Sequence, residues 1–270
     1  YIYQGIIYLN QAGSCCSIRM SYHDSYRNSS ITTGAASQPF YTEAIFDRCI
    51  SPDDNAPTFS NPPIEIFCLA QDYTSNPGII DNDKNTTGML DSITYEWAPP
   101  LRNYNDTISY SGQYNYNIPI YFWGFPSAAK AFPQGLHLES HTGDIQFRPM
   151  KLEVTIMAIR VKEYRNGTFI GEVRRDIQTI IIICSNNKSP SLTTQNNIRS
   201  KNVCAGDPVT FVFSTSDPNS NDTVTISWNN GISGATFTTT NGQSKHPTGT
   251  FSWTPTDADI STSPYIFTVT

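Results

Sequence analysis

The stretch VKEYRNGTFIGEVRRDIQTIIIIC, residues 161–184, decides how this chain is read. At its centre Arg165-Asn166-Gly167 is a hairpin signal, because Asn and Gly tolerate the positive φ that tight hairpin turns demand. Two long strands are therefore expected on either side, over 154–164 and 169–184. The apolar run at 180–184 suits one buried strand and falls far short of the roughly 20 residues that cross a bilayer.

Outward from this hairpin the same pattern recurs. Short β-branched and aromatic segments at 64–70, 92–97, 209–214 and 223–228 alternate with turn residues. The best helical candidate, 127–132, is short and flanked by prolines. The expected fold class is all-β, as tandem immunoglobulin-like or cadherin-like β-sandwich domains in an elongated array.

Composition agrees. Of 270 residues only 15% are charged, and the net charge of -6 offers no basic surface for a phosphate backbone, so no nucleic-acid partner is expected. No membrane insertion is expected either. Residues 1–10 read as an alternating strand rather than a signal peptide, and 267–270 as part of a last strand. The chain is thus expected to be a piece of a longer protein.

The six cysteines suggest a repeat. Cys49 and Cys68 bracket a polar, proline-containing stretch at 51–63; Cys184 and Cys204 bracket another at 185–202. Each reads as an interdomain linker followed by a strand, an Asp-containing turn and a strand ending at Trp97 or Trp228. Three pieces are expected: 1–50 as the end of one domain, 51–184 as a complete sandwich with a long Tyr-rich loop, and 185–270 as a third domain cut at its last strand. On this reading Cys49 bonds Cys68 and Cys184 bonds Cys204, stapling neighbouring domains at about 3 kcal/mol per bridge. Cys15 and Cys16 are left either as a vicinal ring, the preferred reading, or as bridges to partners outside the chain. Zinc is disfavoured, since the cysteines lack paired short spacings and the four histidines are scattered.

The 161–184 segment also resembles the strand, hairpin and closing strand of the giant repetitive surface proteins of Bacteroidota, including gliding-motility adhesins. GLHLESHTGDIQFRP at 135–149 and GTFSWTPTDAD at 249–259 are similar to strand-turn-strand units of bacterial cadherin-like modules. SCCSI at 14–18, NAPTFSNPP at 55–63 and NVCAGDPVTF at 202–211 agree with this resemblance. It implies a non-enzymatic segment of a cell-surface adhesin, exported by the type IX system. Its partners would be neighbouring repeat domains, the gliding and secretion machinery, and a surface polysaccharide or substratum. The family's compact Asp-Pro-Asp-Gly-Asp turn is here SDPNSND in one place and a long insertion, 71–91, in the other.

Four candidate sites follow. Asp217, Asn219, Asn221 and Asp222, joined by Asp257 or Asp259, could supply hard oxygens to calcium; their middle-domain equivalents would be Asp72, Asp81, Asp83 and Asp91. Asp and Asn serve equally well as turn formers. His137 and His141 are expected to flank a turn rather than hold a metal. Tyr104, Tyr110, Tyr114, Tyr116, Tyr121, Phe122 and Trp123 could stack on sugars, the competing function being a polysaccharide-binding module, or fold over their own sandwich. Asp-Ser/Thr-apolar tripeptides, the O-glycosylation signal that the resemblance implies, place acceptors at Thr107, Ser92 and Thr223. Catalysis is not expected: Gly-x-Ser-x-Gly elbows and Gly-rich phosphate loops are lacking, and no carboxylate pair stands out.

Overall fold

The computed structural model describes residues 13–126 and 135–270. The strand expected at 1–10 and the helical candidate at 127–132 lie outside the described residues. What is described is all-β, with only single 3₁₀ turns such as Gln195–Asn197 and Asp257–Asp259 interrupting the strands.

The 161–184 reading materialises as the central hairpin of an eight-stranded sheet. Strands β12 (Val154–Arg165) and β13 (Thr168–Ile182) pair antiparallel from Val154↔Ile180 to Arg165↔Thr168. Asn166 and Gly167 turn between them with φ of 51° and 76°, the conformation their residue types favour. The order is β7 (Ser92–Trp97), β12, β13, β2 (Phe40–Asp47), β8 (Leu101–Asn103) and β9 (Asp106–Thr107); β1 (Ser17–Asp24) pairs with β2, and β4 (Ile64–Cys68) runs parallel to β13.

Period-two alternation places Met157, Ile159 and Val161 of β12, all fully buried, on one face. They meet Val173, Ile177 and Ile181 of β13 and Phe67 of β4 in one core. A second, three-stranded layer closes it: β5 (Tyr73–Ser75), β11 (Ile145–Phe147) and β10 (His137–Leu138), with Ile145 and Phe147 fully buried. Ile156 has the opposite parity and packs on the other face with Ile31, Ala35 and Ile108.

Residues before position 50 therefore do not end a separate domain, which corrects the partition expected from the cysteine spacing. β2 lies between β13 and β8 inside the sheet, in register Gly171↔Phe46 to Val173↔Ala44. Nor is 51–63 a free linker: Ser51 is 1% exposed, and β3 (Thr58–Phe59) pairs with β6 (Ile79–Ile80). The polar composition misled because these polar groups are spent on internal hydrogen bonds.

Beyond Cys184, β14 (Ser191–Thr194), β15 (Val209–Ser216), β17 (Thr248–Trp253) and β16 (Thr236–Thr239) form a four-stranded sheet. β14 lies within the stretch expected to be a linker. Val209 and Phe213 of β15 and Phe251 of β17 enter a core with Ile226, Ile232 and the aromatic rings of Trp228, Phe237 and Phe267. Phe251 and Phe267 stack with ring centroids 4.0 Å apart. The strand expected at 223–228 is reduced to a bridge, Trp228↔Val269.

Candidate functional site

The cysteines pair differently from the sequence expectation. Cys16 bonds Cys49 and Cys68 bonds Cys184, while Cys15 and Cys204 are free and exposed. The Cys49–Cys68, Cys184–Cys204 and Cys15–Cys16 pairings are thus overturned. Ladder geometry is the reason. Ser17↔Asp47 are partners in the β1–β2 ladder, so Cys16 and Cys49 emerge side by side at its end. Cys68 is opposite Ile182 in the parallel β4–β13 ladder, which brings Cys184 within reach. Near-equal spacing along the chain carries no information about which strands become neighbours.

A carboxyl cluster gathers where the β12–β13 hairpin closes. Glu163 has the parity of Val161 and Ile159, so the alternation that buries those apolar chains also buries this acid, at 1% exposure. A register shift between Glu163 and Tyr164 marks a β-bulge there. Asp54, Asp91 and Glu163 each direct an oxygen to within 4.8 Å of the others. Arg165, two residues on, donates to Asp91 Oδ1 at 2.9 Å and Oδ2 at 2.5 Å, to Asp54 Oδ1 at 3.0 Å, and to the Ser51 hydroxyl. Asp81 makes a carboxyl-carboxyl contact with Glu163 and accepts from the Asp83 amide at 2.9 Å. Asp83 accepts from the Asn55 backbone at 2.5 Å.

Burial dominates the electrostatics. It pushes Glu163 up to about 11, with Asp81, Asp54 and Asp91 adding in the same direction. Asp54 rises to about 6 for the same cause, moderated by Ser51 and Arg165. Asp81 is raised as well. A cleft of about 460 Å³ lined by Asp53, Asp83, Lys84, Asn85, Arg165 and Asn166 opens beside the cluster.

Of the expected calcium ligands, Asp81, Asp83 and Asp91 reach this cluster. Asp72 does not; it pairs with Arg148 at 2.5 Å. In the downstream loop Asp217 accepts from the Asn219 amide, Asn219 bonds Lys188 and Asn186, and the Asp222 amide donates to the Asn219 carbonyl. Lys245 donates to the Ser220 and Asn221 carbonyls. Asp259 caps the 3₁₀ turn through Thr256 and pairs with Lys84 at 3.2 Å. Among the described residues, Asp217, Asp222, Asp257 and Asp259 join no group of three His, Cys, Asp or Glu side chains placed to hold a metal. Turn chemistry engages the side chains of Asp217, Asn219 and Asp259.

His137 lies in β10 and His141 in the turn that joins it to β11, each near Glu139, at 3.5 and 3.6 Å. In the Tyr-rich stretch, Tyr110 donates to the Ile156 carbonyl, Tyr114 bonds Glu153 and Lys151, and Phe122 is fully buried. Tyr104 lies against the Arg19 guanidinium. Tyr116 and Trp123 remain exposed. Thr107 and Thr223 are exposed, whereas Ser92 is half-buried with its hydroxyl directed to the Tyr164 carbonyl.

No protein family matches the chain, and no curated protein matches it in sequence. Solved structures give low-scoring matches. They include Dpr2 Ig1-Ig2 in complex with DIP-Theta Ig1-Ig3 (9% identity, 75% of this chain and 88% of that one, TM-score 0.25). Protocadherin Gamma B7 extracellular cadherin domains 1-4 match at 13% identity over 87% of this chain and 50% of that one, TM-score 0.23. Titin-A168169 matches at 8% identity over 73% and 83%, TM-score 0.19. The fold assignment rests on the sheets and cores described above.

Proposed function

We propose that the chain is a non-enzymatic, tension-bearing segment of a large bacterial surface adhesin of the gliding-motility type, exported by type IX secretion and carried at the outer membrane. The observation that supports this most is the placement of the two disulfides. Cys16–Cys49 spans one stretch of chain and Cys68–Cys184 the next. A pull along the backbone passes through these covalent bonds, so residues 17–48 and 69–183 are shielded from it, while β4 and the four-stranded sheet beyond Cys184 stay in its path. Disulfides also belong to oxidising surroundings outside the cytosol.

Contacts between the two cored units support the spacer role. Lys84 meets Asp259, and Ser189 bonds both Gln71, at 2.7 Å, and the Tyr73 hydroxyl, at 2.9 Å. The competing sugar-binding reading draws less support, because Tyr110, Tyr114 and Phe122 are used within the fold. O-glycans at Thr107 and Thr223 belong to the same adhesin reading, both side chains being exposed.

Single-molecule pulling from the two termini tests the mechanical role. Without reductant the chain should extend only through the residues outside the two loops; with dithiothreitol the loops should add their contour length. Release of loop length in the absence of reductant would overturn the shielding. Antibodies against the chain should decorate unpermeabilised cells of the source bacterium, and staining only after permeabilisation would overturn the surface assignment.

A further inference from the structure

We propose that the carboxyl cluster of Asp54, Asp81, Asp91 and Glu163 is a binding site for a hard divalent cation of the calcium class. Calcium was expected in the Asp217–Asp222 loop and at the middle-domain equivalents Asp72, Asp81, Asp83 and Asp91; this site keeps Asp81 and Asp91, adds Asp54 and Glu163 from outside the predicted set, and does not depend on the adhesin reading.

Charge balance leads to it. Three carboxyls, Asp54, Asp91 and Glu163, gather beside one guanidinium, Arg165, which is committed to Asp54 Oδ1 and both oxygens of Asp91, while a fourth, Asp81, neighbours Glu163. Glu163 Oε1 and Asp81 Oδ2 are buried without any hydrogen-bond donor. Glu163, at 1% exposure, cannot turn to water, and its neighbour Asp81 is another acceptor. An unpaired buried carboxylate is among the costliest groups a fold can hold. A shared proton, a water or a cation can bridge two facing acceptors, and of these a cation also engages the nearby oxygens of Asp54 and Asp91.

The donor set discriminates among cations. It is all oxygen, without the nitrogen or sulfur ligands that zinc favours. The Asp54, Asp91 and Glu163 oxygens lie within 4.8 Å of one another, no more than about twice a Ca–O distance of roughly 2.4 Å, so one ion can touch all three. Magnesium demands shorter bonds and near-ideal octahedral geometry. The cleft lined by Asp53, Asp83, Lys84, Asn85 and Arg165 opens beside the cluster and gives an ion a path from solvent.

The test uses the full chain after chelator treatment, titrated with calcium chloride by calorimetry at neutral pH, with thermal unfolding in parallel. Wild type should bind saturably at or below about 1 mM, the range of extracellular calcium modules, and unfold at higher temperature with the ion. Glu163→Gln reproduces the protonated acid in shape and hydrogen bonding. It should fold, yet lose affinity by about tenfold or more, as should Asp81→Asn if Glu163→Gln fails to fold. The double variant Asp217→Asn, Asp222→Asn should bind as wild type does. Absence of binding by wild type up to about 10 mM, well above that range, would mean that a proton or a water bridges the pair, and overturns the site. Binding that survives Glu163→Gln and Asp81→Asn but is lost in the loop double variant overturns it equally.

Discussion

Arg165 holds Asp91 through both carboxylate oxygens, Nε to Oδ1 at 2.9 Å and Nη2 to Oδ2 at 2.5 Å, and so ties the end of the central hairpin to the residue that precedes β7. The side chain of Asp91 is 1% exposed and that of Asp54 2%, leaving neither with access to bulk water. Arg165→Met should therefore destabilise the sandwich by about 3–5 kcal/mol, because two buried carboxylates lose the guanidinium that pairs with both. Arg165→Lys should recover part of this, a single ammonium being unable to engage both oxygens in parallel. Urea denaturation measures both; a loss under about 1 kcal/mol for Arg165→Met would place the pair among weak surface bridges instead.

Non-reducing peptide mapping should recover Cys16 with Cys49 and Cys68 with Cys184, with Cys15 and Cys204 alkylated without reduction. The enclosed separations are 33 and 116 residues. Chain entropy alone then assigns roughly 4 and 5 kcal/mol to the two bridges, so replacing Cys68 and Cys184 together by Ser should cost more than replacing Cys16 and Cys49.

Stability should fall between about pH 4 and pH 6 through Asp176. Burial pushes its carboxyl from 3.8 up to about 6 in the folded protein despite the buried Arg27 beside it. The folded state then holds a proton that the unfolded chain has released, which makes the slope of unfolding free energy against pH negative in that window. At neutral pH the contribution should be lower than at pH 4 by at most about 3 kcal/mol. Asp176→Asn, an isostere of the neutral acid, should lack this part of the slope. Chemical denaturation at half-unit pH steps checks it, an unchanged slope counting against the assignment.

Gly34→Ala should destabilise by more than about 2 kcal/mol. Gly34 has φ of +113°, and a Cβ there would lie 2.4 Å from the Ser111 amide nitrogen and 2.7 Å from the Tyr110 carbonyl carbon. Both neighbours are backbone and cannot swing aside. A thermal melt within a degree of wild type would show that the 25–38 loop yields more readily than its packing on Ile108 and Ile156 implies.

Intact-mass analysis of chain purified from its own host should show a glycan excess that disappears in Thr107→Ala, Thr223→Ala, while Ser92→Ala changes nothing. The half-buried Ser92 hydroxyl already faces the Tyr164 carbonyl. A mass equal to the bare polypeptide would end this expectation.

Local signals were legible wherever neighbouring residues alone set the outcome. Asn166-Gly167 announced its turn, the 92–97 and 209–214 segments became β7 and β15, and the hairpin around 139–144 lies between β10 and β11. The cysteine pairing was not legible, because it depends on β1 meeting β2 and β4 meeting β13, relations between strands far apart in sequence. Of the candidate site, Asp81, Asp83 and Asp91 were read from turn composition. Glu163 was overlooked although a signal existed: counting in twos from Ile159 and Val161 lands an acid on the inward face. Asp54 had no such signal, since 51–63 looked like solvent-exposed linker.

The position of β2 inside the sheet has a consequence for heredity. An exchange or duplication of DNA that broke the gene near codon 50 would part β2 from β13 and sever Cys16 from Cys49. The smallest inheritable unit here extends at least from Cys16 to Cys184, and shuffling that preserves folding must cut outside it.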